Sequence, residues 1–204
     1  MDRDVNAPFA ESDAWRVAAL SMMGAEELRA LFSGDPAVAA PWVMAAANGG
    51  LAEAEVRLGR MLLADEGVAK DEAAAVAWFG RAADAGNIDA HNMLGRCYEN
   101  GWGVMRDFDA AGRHYAIAAS AGDAWAQYNL GHLFLDGLGV SRDVDEAFAW
   151  YTRRAKQGHA RAMSLVGRCY EEGWGVAKDT DLARAWYRKS ADGCYFRGAY
   201  NYAS

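Results

Sequence analysis

The sequence predicts an all-α protein, an α/α superhelical solenoid of helix-turn-helix repeats about 36 residues long. Three observations predict this fold. The chain matches itself without a gap when it is shifted by one repeat, each repeat holds two helix-forming patterns, and a glycine-rich turn separates them. The shift superposes three rows of identical residues: Gly59, Gly95, Gly131 and Gly167; Val68, Val104, Val140 and Val176; and Asp71, Asp107, Asp143 and Asp179.

The first half of each repeat carries small and apolar residues at spacings of four, one and three. In the third repeat these residues are Ala126, Leu130, Gly131 and Phe134. Such spacing places them on one face of an α-helix. We therefore predict a first helix that buries this face.

The second half of each repeat places small and aromatic residues four positions apart, as at Ala147, Tyr151 and Ala155. A tryptophan, Trp150 in this repeat, stands beside the aromatic residue. This pattern predicts a second amphipathic helix.

The turn between the two helices carries Gly-x-Gly-Val in three repeats, at residues 101–104, 137–140 and 173–176. Glycine tolerates the left-handed conformation that ends a helix, so we predict a tight reversal instead of a phosphate-binding loop. The aspartate that follows is expected to cap the second helix, and Glu146 is expected to complete a capping box with Asp143. Asp65 and Glu66 replace Gly and Trp in the first repeat, so we expect that turn to differ.

We predict that the region before the repeats forms an N-terminal cap of the solenoid. We expect residues 1–11 to be disordered and residues 12–50 to form helices, the first capped by Ser12 or Asp13. Pro36 suits the first position of a helix that Asp35 caps. This helix lies one period before the second helix of the first repeat, so residues 12–50 include a degenerate half-repeat.

Four repeats then follow, at residues 51–86, 87–122, 123–158 and 159–193, and residues 194–204 begin an incomplete fifth. Tyr200 and Asn201 match Tyr128 and Asn129 at twice the period. An unfinished repeat exposes apolar surface. We therefore expect a longer protein, or a partner or second copy of the chain covering this end.

Short motifs in the third repeat carry a family resemblance. They are AQYNLG at 126–131, DGLGV at 136–140, Asp143, and EAFAWY at 146–151. These residues resemble the Sel1-like repeat, a relative of the tetratricopeptide repeat. The resemblance implies an α/α superhelix and a function as an adaptor that holds other proteins. Some cysteine-rich bacterial relatives are linked to β-lactam hydrolysis, but they carry paired cysteines in each repeat and a secretion signal, which this sequence lacks.

The tetratricopeptide arrangement implies that first helices line a concave groove, which would bind a peptide or protein partner. One row along it is cationic: Arg60, Arg96, His132 and Arg168. These side chains either bind a peptide that carries acidic side chains or a C-terminal carboxylate, or they pair with neighbours such as Glu99 and Glu171. Trp125 and Tyr128 either anchor a partner, or Tyr128 packs on the next repeat and Trp125 covers an edge. The candidate residues are Arg60, Asn92, Arg96, Glu99, Trp125, Tyr128, His132, Asp136, Arg168 and Glu171.

Other function classes have little support in the sequence. A net charge of −7 argues against nucleic-acid binding. The N-terminus lacks an apolar signal segment, and Pro41 interrupts the longest apolar run, so we expect a cytoplasmic protein without a membrane-inserted segment. The four histidines are not clustered, and Cys97 and Cys169 share a row with Met61 and Leu133. We expect neither catalysis nor a cofactor or metal.

Overall fold

The computed structural model describes residues 11–192, and this part of the chain consists of α-helices joined by short turns. It forms two compact units that divide after Arg106. The N-terminal unit contains α1 (Glu11–Met22), α2 (Ala25–Ser33), α3 (Pro36–Asn48), α4 (Ala52–Ala64), α5 (Glu72–Asp84) and α6 (Ile88–Asn100). The C-terminal unit contains α7 (Phe108–Ser120), α8 (Ala124–Asp136), α9 (Val144–Lys156), α10 (Ala160–Glu172) and α11 (Thr180–Asp192). The predicted all-α helix-turn-helix class is confirmed.

In the N-terminal unit, α1 and α2 pack against α3, and α3 packs against α4. Pro36 opens α3, and the Asp35 carboxylate accepts a hydrogen bond from the Ala37 backbone N–H at 2.9 Å, as predicted. The predicted cap at Ser12 or Asp13 is wrong, because α1 already begins at Glu11. The expected disorder otherwise concerns residues 1–10, which lie outside the described residues, as do the start of a fifth repeat and Cys194.

The core contains most of the predicted rows, and the half-buried Phe134 packs against it. On the first helices, the alanine row and the row of Leu58, Leu94, Leu130 and Val166 are buried. On the second helices, the alanines and the aromatic row are buried: Phe79, Tyr115, Tyr151 and Tyr187. The glycines of α4, α8 and α10 provide the space for three of these rings. A Cβ added at Gly131, for example, would lie 2.6 Å from the Tyr151 ring.

The Gly-x-Gly turns contain two glycines with different functions. The first ends the helix in the predicted left-handed conformation, with φ of 74° at Gly101 and 70° at Gly137. The second approaches the first residue of the preceding second helix so closely that no side chain fits. A Cβ at Gly139 would lie 2.2 Å from the Phe108 carbonyl carbon, and one at Gly103 would lie 2.1 Å from the Glu72 carbonyl oxygen.

The aspartate row caps the second helices as predicted, and the Asp143 carboxylate accepts from the backbone N–H groups of Asp145 and Glu146. The predicted capping box is wrong. The Asp143 backbone N–H donates instead to the Phe134 carbonyl of α8 at 2.9 Å. Asp179 makes the same bond to Tyr170. At these two positions the cap thus ties the second helix of the repeat to the end of the first.

The turn of the first repeat follows the same path as the others, contrary to expectation. Asp65 takes the left-handed conformation that glycine takes elsewhere, with φ of 59°. Aspartate tolerates this region better than most residues. Its carboxylate also accepts a hydrogen bond from the Lys70 backbone N–H at 2.9 Å, which stabilises the turn.

Candidate functional site

The candidate residues lie on the first helices, α4 and α6 in the N-terminal unit and α8 and α10 in the C-terminal unit. In each unit, we call the side of its first helices that carries residues of the cationic row the first-helix surface of that unit. Arg60, Arg96 and Arg168 are exposed on these surfaces. Asp136 is also exposed, at the end of α8.

In the N-terminal unit, Arg60 and Arg96 line one cleft of about 370 Å³, together with Lys70, Glu72 and Trp102. We call it the N-terminal cleft. Arg60 donates two hydrogen bonds to the Asp89 carboxylate, at 2.6 and 2.7 Å, and half of its side chain is exposed. Lys70 pairs with Glu72 at 2.9 Å. The cleft thus gathers three cations, and two of them, Arg60 and Lys70, form ion pairs that are open to solvent.

Tryptophans of the inter-helix turns hold the other two arginines of the row. The Arg96 guanidinium carbon lies 5.2 Å from the Trp102 ring centre, and Arg168 lies 4.9 Å from that of Trp174. Both tryptophans also pack against the core of their unit. The suggested ion pair between Arg168 and Glu171 is not found, so stacking on tryptophan orients this arginine instead. The sequence alone did not reveal this contact.

Glu171 binds a tyrosine of the next helix. Its Oε2 accepts a hydrogen bond from the Tyr187 hydroxyl at 2.6 Å. Glu99, the matching residue of α6, is half-buried. Asn92 is only 4% exposed, and its Oδ1 lacks a hydrogen-bond partner in the described structure. Asn92 therefore does not contribute to the accessible surface.

Aromatic residues dominate the first-helix surface of the C-terminal unit. Trp125 lies 5.3 Å from His159 and 6.4 Å from Tyr128, measured between ring centres. Tyr128 lies 4.6 Å from His132 and also contacts His159. Tyr128 thus packs on the next repeat, whereas Trp125 remains 51% exposed. We call Trp125, Tyr128, His132 and His159 the aromatic cluster.

His159 has a structural function that was not predicted from the sequence. Its Nδ1 accepts a hydrogen bond from the Ala162 backbone N–H at 3.2 Å and so caps α10. Asn87 and Asp123 cap α6 and α8 in the same way. The one-repeat spacing of these three residues was the available signal. Burial and the nearby Arg154 and Arg161 lower the pKa of His159, so the neutral, accepting imidazole is favoured.

We expect acidification to weaken the α10 cap. A depressed folded-state pKa means that the contribution of His159 is complete above its ordinary pKa, near 6.5, and is lost as pH falls below it. His159→Asn keeps an accepting side chain that does not titrate in this range. The stability of the wild type relative to this variant should therefore fall by about 1 kcal/mol between pH 7.5 and 5. Urea unfolding followed by circular dichroism measures it, and a difference that does not change with pH would contradict the expectation.

Two tyrosines of the aromatic row differ in hydrogen bonding. The Tyr187 hydroxyl donates a hydrogen bond to Glu171. One repeat earlier, position 135 corresponds to Glu171 but holds a leucine, so the Tyr151 hydroxyl is buried without a partner. Burial raises the pKa of both hydroxyls, so both are protonated at neutral pH.

Tyr187→Phe should therefore lower the free energy of unfolding by about 1 kcal/mol, because it removes a hydrogen bond to a carboxylate. Tyr151→Phe removes only an unsatisfied hydroxyl and should leave stability unchanged or slightly higher. Parallel urea titrations of the two variants compare them. Equal losses would show that the Glu171 contact is not what distinguishes the two tyrosines.

Side chains that support catalysis or metal binding are not evident in the described structure. Cys97 and Cys169 are free and buried, and burial raises the pKa of each thiol to about 12. Neither is a reactive thiolate at neutral pH. Between residues 11 and 192, no group of three or more His, Cys, Asp or Glu side chains could hold a metal ion. Over the same residues, no helix is both long and apolar enough to cross a bilayer.

Known proteins support the repeat assignment. The Sel1 repeat family model matches residues 52–87, 88–123, 126–159 and 160–193. A crystal structure of a protective antigen of uropathogenic Escherichia coli, which displays an SLR fold, is similar, with a TM-score of 0.77 and 32% identity over 82% of this chain. A Sel1 repeat protein from Oxalobacter formigenes is similar with a TM-score of 0.72 and 32% identity over 81% of the chain.

This chain spans 36% and 48% of the lengths of those two chains. A sel1 repeat protein from Klebsiella pneumoniae subsp. pneumoniae shares the fold, with a TM-score of 0.57 and 21% identity over 85% of this chain and 86% of that one. Among proteins with curated functions, none matches this chain.

Proposed function

Because this chain belongs to the Sel1 repeat family, whose repeats generally mediate protein interactions, we propose that it is a non-catalytic scaffold that binds a peptide or protein partner. The partner lies on the first-helix surface and carries acidic side chains or a C-terminal carboxylate. Exposed arginines on these helices, each held in place by an aromatic ring or a solvent-exposed ion pair, carry the proposal.

The N-terminal cleft has the chemistry to bind carboxylates. The Arg60 pair with Asp89 is half-exposed, and ion pairs of this kind contribute at most about 1 kcal/mol. A partner carboxylate therefore replaces Asp89 at little cost. The Arg96 guanidinium carbon lies 5.2 Å from the Trp102 ring centre, and its Nη1 donates to the Met93 Sδ at 3.7 Å, so other guanidinium N–H groups remain for a carboxylate.

In the C-terminal unit, the aromatic cluster is suited to an apolar side chain of a partner. Trp125 is half-exposed and is supported by His159, so its ring can be buried by a partner without rearrangement. Aromatic residues with such support are enriched among the residues that dominate binding energy. Arg161 lies 5.9 Å from the Tyr128 ring centre and adds positive charge beside the cluster. The surface therefore suits a peptide with an apolar residue near acidic residues.

Site-specific photocrosslinking tests this function. Benzoylphenylalanine replaces Trp125 on α8 in one variant and Ile117 on α7 in the other. The native side chains are 51% and 47% exposed, so the two positions are matched in accessibility. We expect a defined protein to crosslink at position 125 but not at 117, and an excess of a glutamate-rich peptide to suppress the crosslink. The same products at both positions, or competition by a lysine-rich peptide alone, would contradict the proposal.

A further inference from the structure

A cavity of about 720 Å³ lies in the N-terminal unit, between α1, α2, α3 and α4. Its walls are mainly apolar and include Leu20, Leu28, Phe32, Val43 and Val56. The volume lies within the range of sites that hold small organic molecules. It is also much larger than a single amino-acid side chain, which favours a free ligand over one anchoring residue of a partner.

One cation on the cavity wall lacks an acidic partner. Arg57 of α4 donates through Nη2 to the Phe32 backbone carbonyl, and its guanidinium carbon lies 5.3 Å from the Phe32 ring centre. Its Nε is buried and has no hydrogen-bond partner. No carboxylate in the described part of the chain pairs with it, whereas Arg60, one turn further along α4, is paired with Asp89.

A half-buried guanidinium beside apolar walls is costly unless an anion neutralises it. A carboxylate is the matching group, because it accepts charge-assisted hydrogen bonds from guanidinium N–H groups. Glu53 also lines the cavity, and its negative charge disfavours ligands that carry two or more negative charges. A single carboxylate on an apolar body therefore fits both the wall and Arg57.

We propose that this cavity binds a small amphipathic carboxylate, with its hydrocarbon part against the apolar walls and its carboxylate on the Arg57 guanidinium. The ligand is a free monocarboxylic acid with an aliphatic chain. This site adjoins the N-terminal cleft, because Arg60 lines both, but Arg57 and the apolar walls belong to the cavity alone. Its occupancy does not require the proposed partner to exist.

Calorimetric titration of the full chain with decanoate and with decanol tests the proposal, because the two ligands differ in the carboxylate. We expect saturable one-to-one binding of decanoate with Kd below about 0.1 mM, and binding of decanol at least about tenfold weaker. Arg57→Gln should weaken decanoate binding by about tenfold or more and leave decanol unchanged. Arg113→Gln, which removes an exposed arginine of α7, should have no effect.

Val17→Trp provides a second variant, because Val17 lines the cavity from α1 and a larger side chain there fills it. It should abolish binding of both ligands. Circular dichroism establishes that each variant is folded, and the comparison of decanoate with decanol on the wild type does not depend on any variant. Absence of decanoate binding, equal binding of the two ligands, or unchanged binding by folded Arg57→Gln would each overturn the proposal.

Discussion

Gly139→Ala is expected to lower the free energy of unfolding by about 3 kcal/mol or more. Gly139 has φ of 66°, so alanine there incurs about 1–2 kcal/mol of backbone strain. The added Cβ would also lie 2.2 Å from the Phe108 carbonyl carbon and 2.4 Å from the Asp109 nitrogen, so the turn and α7 must separate. Backbone cannot move aside as a side-chain end can, and overpacking of this kind costs about 1–3 kcal/mol more.

Gly158→Ala is the matched control. Gly158 also has positive φ, at 89°, but an added Cβ there meets no atom within 4 Å. Only the backbone strain applies, so this variant should lose about 1–2 kcal/mol. Urea unfolding followed at 222 nm compares the two. If both variants lose the same amount, close approach between the turn and α7 is not what requires glycine at position 139.

Gly131→Ala and Gly80→Ala should change stability in opposite directions. Gly131 lies within α8, and an added Cβ would be 2.6 Å from the Tyr151 ring, which is fully buried. Displacing this ring should cost about 2 kcal/mol, more than alanine gains through its higher helix propensity. Gly80 lies within α5, and an added Cβ there meets nothing within 4 Å. This variant should gain up to about 1 kcal/mol.

Thermal unfolding of the two variants beside the wild type separates these effects. A higher midpoint for Gly80→Ala with a lower one for Gly131→Ala supports the contact between Gly131 and Tyr151. Stabilisation by both substitutions would contradict it, because helix propensity would then outweigh packing at both positions.

The repeat pattern predicted the helices well because fixed rows mark buried faces. The aspartate caps and the left-handed glycines also followed from the sequence, since each residue type has one dominant reason to occur at its position. The pattern could not reveal why the second glycine of each turn is required. Glycine is required because the backbone of the preceding repeat leaves no space for a side chain. Only the structure shows that Gly139 lies beside Phe108.

Side-chain partners on the first-helix surface were less predictable. Helical spacing suggested that Arg168 pairs with Glu171. Arg168 instead lies against the Trp174 ring of the turn, and Glu171 accepts a hydrogen bond from Tyr187 of the next helix. The position of Asn92 in a variable row predicted that it is available to a partner, yet packing buries it. Spacing along one helix cannot report contacts with neighbouring elements, and those contacts decide which side chains stay accessible.

The most direct test of the proposed function compares the affinity of the crosslinked partner for two triple variants of equal charge. Arg60, Arg96 and Arg168 become alanine in one variant. Arg113, Arg153 and Arg184, which are exposed on the second helices α7, α9 and α11, become alanine in the other. We predict that the first variant, still folded by circular dichroism, loses the partner while the second binds it like the wild type. Equal weakening in both variants, or unchanged binding by the first, would contradict binding through the first-helix surface.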